Sequence, residues 1–296
     1  MSLNKLKYIL SVIISIIFLK ITFSKLSISN VIIKDYFNYE NLFYFISFFL
    51  IFLPIHFLIS YKFVYILKKY TKVKIIDSIK VNLISYIYNL VLPAKAGDLF
   101  RTSFLNLKNV NTKNNININL FEKGFSLLCL VLIIFFFFIF SSYNLNFLIN
   151  SYIIGNKIII FLIILLGSIF IFFLFYKRNA IKNFLEILSI KIKKIIIIDL
   201  IAWLLIFLQI YISLKIIKIE LSFSDTILIF GLSIIIGLVP ISIGGFGVRD
   251  YVIFNLLNNQ IDNDKIVLLL IFFNFRYILP IFLGLCLSIS YANKKK

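Results

Sequence analysis

Apolar residues run along this chain in blocks of helix length, separated by short stretches rich in lysine and asparagine. Within the blocks there is no two-residue alternation of the kind a barrel strand needs, so each is read as a helix. Crossing roughly 30 Å of hydrocarbon takes about 20 apolar residues. Leu6 to Phe23, Leu42 to Tyr61, Gly124 to Tyr143, Ile158 to Tyr176, Ile195 to Leu214 and Ile266 to Ser290 meet that requirement. The pattern predicts an all-α polytopic bundle with six full spans, forming a single transmembrane domain over residues 1–296 with no soluble domain.

Two further segments break the pattern. Between the fifth and sixth spans, "GLVPISIGGFGVRD" places glycines, a proline and two charges inside an apolar region. Proline removes a backbone donor and glycine admits conformations other residues avoid, so the helix is expected to break at Pro240, Gly244, Gly245 and Gly247. Earlier, "LPAKAGDLFR" repeats the arrangement with Pro93 and Gly97. The spacings are Pro-x3-Gly-x3-Arg in the first and Pro-x3-Gly-x4-Arg in the second. Each is preceded by a stretch long enough for half a membrane, Ser78 to Val91 and Thr226 to Val239. An interrupted helix survives at membrane depth only where protein or a wet cavity meets its freed backbone groups.

Charge sets the orientation. Lysine and arginine number 31 against 12 acidic residues, 61% of the chain is hydrophobic, and the mean hydropathy is +1.04. Lys62, Lys68, Lys69, Lys72, Lys74 and Lys80 follow the second span, Lys177 to Lys194 follow the fourth, and Lys294 to Lys296 end the chain. A basic excess marks cytoplasmic loops, so both termini are expected inside. The uncharged stretch "NLNFLINSYIIGN" is expected outside. With six spans crossing, the two interrupted segments enter from opposite faces as re-entrant hairpins, the arrangement in which inverted-repeat transporters build a midplane site. The basic N-terminal start and apolar run are read as a retained first span, since no small-residue cleavage site follows.

Ionised groups near membrane depth cost about 2.5–3.5 kcal/mol each on insertion scales and therefore mark function or pairing. Arginine occurs only at Arg101, Arg178, Arg249 and Arg276; Arg101 and Arg249 flank the breaks, and Arg276 lies within the last span. Arginine's planar fork suits phosphate. Asp98, Glu122 and Asp250 stand near them in sequence, either lining the same site or neutralising the arginines in buried pairs that fix helix packing. Asp199, just inside the fifth span, is read as interfacial beside Lys193 and Lys194, with a contribution to a proton or cation path as the alternative. Cys129 and Cys286 are far apart and His56 is the only histidine, so no metal cluster or histidine-based triad is expected. Basic residues spread over short loops, without a base-stacking module, do not read as a nucleic-acid surface.

At these residues the chain resembles the transmembrane region of lysylphosphatidylglycerol synthases and the stand-alone flippase-like membrane proteins related to it. The resemblance rests on "NLVLPAKAGDLFR", "FEKG", "VPISIGGFGVRD" and "FRYILP". Ala94 and Ile243 depart from it, where glycine and proline are usual. By position it implies a substrate site of Asn89, Lys95, Asp98, Arg101, Glu122, Arg249, Asp250 and Arg276 around the breaks at Pro93, Gly97, Pro240, Gly244, Gly245 and Gly247. In bifunctional relatives the module is associated with moving aminoacylated phosphatidylglycerol between leaflets, while a separate soluble domain makes that lipid. The expectation is a lipid flippase-like transporter of the cytoplasmic membrane, not an enzyme, with membrane lipids as partners and no cofactor. A homo-oligomer or a partner synthase is possible. The rival readings are an enzyme acting on a polyprenyl phosphate through Asp35 or Glu40, and a non-transporting partner of a lipid-modifying synthase.

Overall fold

The computed structural model describes residues 20, 36, 39–68, 72–91, 97–98, 101, 112–140, 192–238 and 245–293. The expected span Leu6 to Phe23 apart from Lys20, the expected span Ile158 to Tyr176, the outer stretch 144–156, Pro93, Lys95, Pro240, Gly244, Asp35 and the side chain of Glu40 lie outside them. Among the described residues there are seven helices and no strand. They are α1 (Tyr39–Leu67), α2 (Ile75–Val91), α3 (Thr112–Phe140), α4 (Ile192–Ile216), α5 (Phe223–Ile236), α6 (Val248–Leu257) and α7 (Asn263–Asn293).

Four of these are long and apolar enough to cross a membrane: Asn41–Leu67, Ile118–Phe140, Ile192–Ile216 and Asn263–Ser288. They coincide with four of the expected spans. The third begins earlier than expected, because Asn119 and Glu122 are buried within the helix and not left at its mouth. The outer surface of the bundle carries exposed Phe43, Leu53, Phe57, Phe136, Phe140 and Phe282, the arrangement hydrocarbon favours and water does not.

Polar side chains zip α1 to α4 in antiparallel order. Asn41 donates to the carbonyl of Ile216 at 3.2 Å, Gln209 donates to that of Phe48 at 2.9 Å, and Lys62 donates to Asp199 at 2.6 Å. α2 packs against α1 and α7, α3 against α4 and α5, and α6 against α5 and α7. Phe207, Phe230, Phe254 and Phe273 meet in the larger apolar core, and Phe63, Ile66, Phe121 and Ile195 form a second one at the end of α1.

The remaining helices are short. α5 has 14 residues and α6 has 10, giving about 21 Å and about 15 Å at 1.5 Å per residue, less than the hydrocarbon thickness. α5 opens on Ser222, whose hydroxyl accepts from the Asp225 amide at 3.0 Å, and closes on Gly237. α2, with 17 residues, stops just before the first proline.

The chain folds back tightly after both interruptions. A Cβ on Gly97 would lie 2.5 Å from the backbone nitrogen of Asn89, and one on Gly245 would lie 2.8 Å from the carbonyl oxygen of Gly237. In each case a glycine contacts the backbone eight positions earlier, at the end of the preceding helix. Gly245 also has φ +84° and Gly247 φ +83°, conformations that penalise any Cβ.

Candidate functional site

Among the described residues, the charged side chains singled out in the sequence gather into two clusters. The first sits where α1 ends and α3 and α4 begin. Arg101, fully buried, donates from Nε to the carbonyl of Asp98 at 3.2 Å, from Nη2 to Asn119 Oδ1 at 3.3 Å, and from Nη2 to Glu122. Its guanidinium lies 4.5 Å from the centre of the Phe63 ring. The other oxygen of Glu122 is 3.3 Å from Lys62 Nζ, and Lys62 is held at 2.6 Å by Asp199.

Asp98 is tied back to α2 by Ser85 and Asn89, which donate to Oδ1 at 3.0 and 3.1 Å, while Lys123 contacts Oδ2 at 2.6 Å. Three cations (Lys62, Arg101, Lys123) thus face three carboxylates (Asp98, Glu122, Asp199). Four elements are joined by this network, and apart from Lys123 its charged groups are nearly without solvent exposure.

Two members of the first cluster correct the reading of the sequence. Lys62 is not a loop lysine: it lies inside α1 at 3% exposure. The signal was available, since Phe63 to Leu67 continue the apolar run beyond it. Asp199 is not interfacial; it is buried against Lys62. Nothing in the chain order of residues 62 and 199 announces that pairing.

The second cluster lies at the start of α6 and the middle of α7. Arg249 is buried and donates to Asn274 Oδ1, and Asn274 donates in turn to Asp250 Oδ1 at 3.2 Å. Asp250 closes on its own helix, accepting from the Gly247 amide at 3.0 Å. The direct Arg249–Asp250 contact is long, 3.9 Å, so the amide of Asn274 mediates between them. The Arg249 guanidinium packs over Phe273 at 4.5 Å and Tyr277 at 4.3 Å.

Arg276 packs over the same two rings, at 5.0 and 5.2 Å. It donates to the Tyr277 hydroxyl at 3.1 Å, and among the described residues no carboxylate lies within ion-pair distance of it. Arg249 Nε and Arg276 Nη1 are both buried without a hydrogen-bond partner. Two cations and one carboxylate leave this cluster net positive.

Side chains of α2 and α1 interact with groups of both clusters. Tyr86 lies within electrostatic range of Asp98 and Arg101 on one side and of Arg276 and Tyr277 on the other. His56 packs against Tyr86 with ring centres 5.5 Å apart, sits 3.4 Å from Asn82, and is also within range of Arg276. Sequence reading missed Asn119, Asn274, Tyr86 and the two aromatic rings, whose residue types carry no charge to flag them. Among the described residues no group of three His, Cys, Asp or Glu is placed to hold a metal ion.

The family described as Lysylphosphatidylglycerol synthase TM region matches residues 8–284. The chain belongs to that family. Both clusters, with α1 to α7 up to Gly284, fall inside the matched region, so the buried charges belong to the Lysylphosphatidylglycerol synthase TM region itself. No curated protein matches the chain.

Proposed function

We propose that this protein is a flippase-like transporter that moves a phospholipid or lipid-linked anionic substrate between the leaflets of the cytoplasmic membrane. In this reading it is not an enzyme: the headgroup passes between the two interrupted segments while the acyl tails stay in the bilayer. The observation that carries the proposal is Arg276, a mid-span guanidinium with a buried, unpartnered Nη1 and no carboxylate in reach among the described residues. An uncompensated cation at that depth is costly unless an anion visits it. Arg249 beside it adds a second fork of donors, and together they match the oxygens of one phosphodiester.

Three further features support the reading. α5 and α6 are too short to cross separately, as a hairpin entering from one face requires. The fold-back glycines, Gly97 and Gly245, each approach the backbone eight positions earlier, a likeness in keeping with inverted repeats. Tyr86 and His56 offer polar edges between the clusters, a route for a headgroup that leaves Arg276 toward Arg101.

Proteoliposomes carrying a fluorescent phosphatidylglycerol test the proposal. Wild-type protein is expected to expose inner-leaflet label to an external quencher. Arg276→Leu is expected to slow this about tenfold or more, since a charge-assisted hydrogen bond contributes about 1.5–3 kcal/mol. Equal rates for the two proteins would count against it. The topology has its own check: single cysteines at Asn111 and Asp262 are expected to react from inside and outside respectively.

A further inference from the structure

The Arg101 cluster is neutral as it stands, yet three of its atoms are buried and lack a hydrogen-bond partner: Asp199 Oδ2, Glu122 Oε1 and Arg101 Nη1. A fully satisfied structural network would leave none. These atoms are two carboxylate oxygens and one guanidinium donor, and of the oxygens only Glu122 Oε1 has a cation close by, Lys62 Nζ at 3.3 Å.

We propose that Asp199 is the proton-binding residue of a proton-coupled anion transporter, with Lys62 relaying its protonation to the Glu122–Arg101 pair. This rests on the transport reading above and names its energy source. The step begins when a proton from water forms an O–H bond at Asp199 Oδ2, a buried oxygen without a hydrogen-bond partner, while Lys62 holds Oδ1. Asp199 becomes neutral and the Lys62–Asp199 ion pair is lost. Lys62 keeps its own protons and shifts onto Glu122 Oε1, which is already only 3.3 Å away.

Glu122 is then shared more evenly, and Arg101 is released to offer Nη1 to an anionic headgroup. Before the step, Lys62 and Arg101 balance Glu122 and Asp199. The added proton leaves one uncompensated positive charge, and a singly charged phosphodiester restores neutrality, which a low-dielectric site strongly favours. Proton and headgroup therefore bind together, and their joint movement carries no net charge.

The groups facing Asp199 are consistent with this role. From α1 comes Lys62; from α3 come Glu122, Cys129 and the hydroxyl of Ser126. Arg101 stands behind Glu122. On α4 itself, Lys193 and Lys194 lie more than a turn earlier. α5 and α7 carry Asp225, Asp264 and Lys265 in their first turns, and the Asn41–Ile216 and Phe45–Phe272 contacts place the starts of α1 and α7 and the end of α4 at the opposite end of the bundle from Lys62.

The test uses full-length protein in phosphatidylglycerol vesicles doped with the fluorescent lipid, a pH difference across the membrane, and the voltage clamped with potassium and valinomycin. For one proton per lipid, a one-unit pH difference is expected to hold up to about a tenfold excess of label in one leaflet, whatever the clamped voltage. Asp199→Asn, which fixes the carboxyl position in a neutral form, is expected to lose the pH-driven asymmetry and to leave the label evenly distributed whatever pH difference is imposed. An even distribution in wild type, or a wild-type response in Asp199→Asn, overturns the coupling while leaving transport intact.

Infrared difference spectra of the purified protein supply a readout that needs no transport. Acidification is expected to raise a protonated-carboxyl stretch that Asp199→Asn lacks, and its absence in wild type overturns the assignment. A titrating band without any lipid exchange by wild type would overturn the coupling and the transport reading together.

Discussion

Two buried guanidinium clusters share one helix bundle and are satisfied in opposite ways. Around Arg101, every charge has a counter-charge, and the pairs bridge α1, α3, α4 and the segment after α2. Around Arg249 and Arg276, aromatic faces and amides take the place of carboxylates, and positive charge is left over. Removing one partner of a buried ion pair strands the other at a cost of about 3–5 kcal/mol, so the first cluster must hold the fold together whatever else it does. The second ties α6 to α7 through Asn274 without a close ion pair and leaves a buried donor on each arginine without a hydrogen-bond partner. Burial alone does not separate a structural charge from a binding one; the state of its partners does.

The contrast is most exposed to test at Glu122. Glu122→Gln leaves Arg101 without its ion-pair partner and Lys62 with Asp199 alone, and is expected to destabilise the protein by about 3–5 kcal/mol, read as a lowered melting temperature in detergent. Arg276→Leu serves as its counterpart, with melting expected to be unchanged or raised while lipid exchange falls. If both variants melted alike, the division of labour between the clusters would be wrong.

A smaller effect compares the two breaks. Gly97→Ala and Gly245→Ala each force a methyl group against backbone atoms and are expected to cost about 1–3 kcal/mol by chemical or thermal unfolding. The larger loss is expected at Gly245, whose φ of +84° penalises a Cβ in addition to the backbone contact. A negligible loss at either one would show that its segment is free to open, and the local likeness between the breaks would fail. The smallest effect is reserved for Lys123, whose side chain is 44% exposed. Lys123→Ala is expected to cost less than about 1 kcal/mol, because water and salt screen its pair with Asp98. A large loss there would move Lys123 into the buried network.

Much of the fold was legible in the apolar blocks. Four expected spans reappear as α1, α3, α4 and α7, and the stretches before the two prolines reappear as α2 and α5, since length and hydropathy act locally and need no knowledge of neighbours. The arginines and the acidic residues beside the breaks were legible too, because an ionised group inside an apolar run is conspicuous. Lys62 was misread because a lysine after a span is usually a cytoplasmic anchor, and only its carboxylate partners reveal otherwise. Asp199 was misread for the matching reason: nearby lysines on its own helix suggested a local pairing, whereas its partner comes from a helix far away in sequence.

By itself, the sequence determined that this chain lives in a membrane as a helical bundle and that its backbone is interrupted beside charged residues. Those properties follow from the length of apolar runs and from what proline and glycine do to a helix. Which carboxylate meets which cation was decided only by tertiary structure. Asp199, Lys62, Glu122 and Arg101 come from four separate elements, and an ion pair depends on distances of a few ångströms that no local pattern encodes. The same packing places Arg276 beside Arg249 over two shared rings, beyond ion-pair reach of every described carboxylate, which nothing in the local sequence around residue 276 announces.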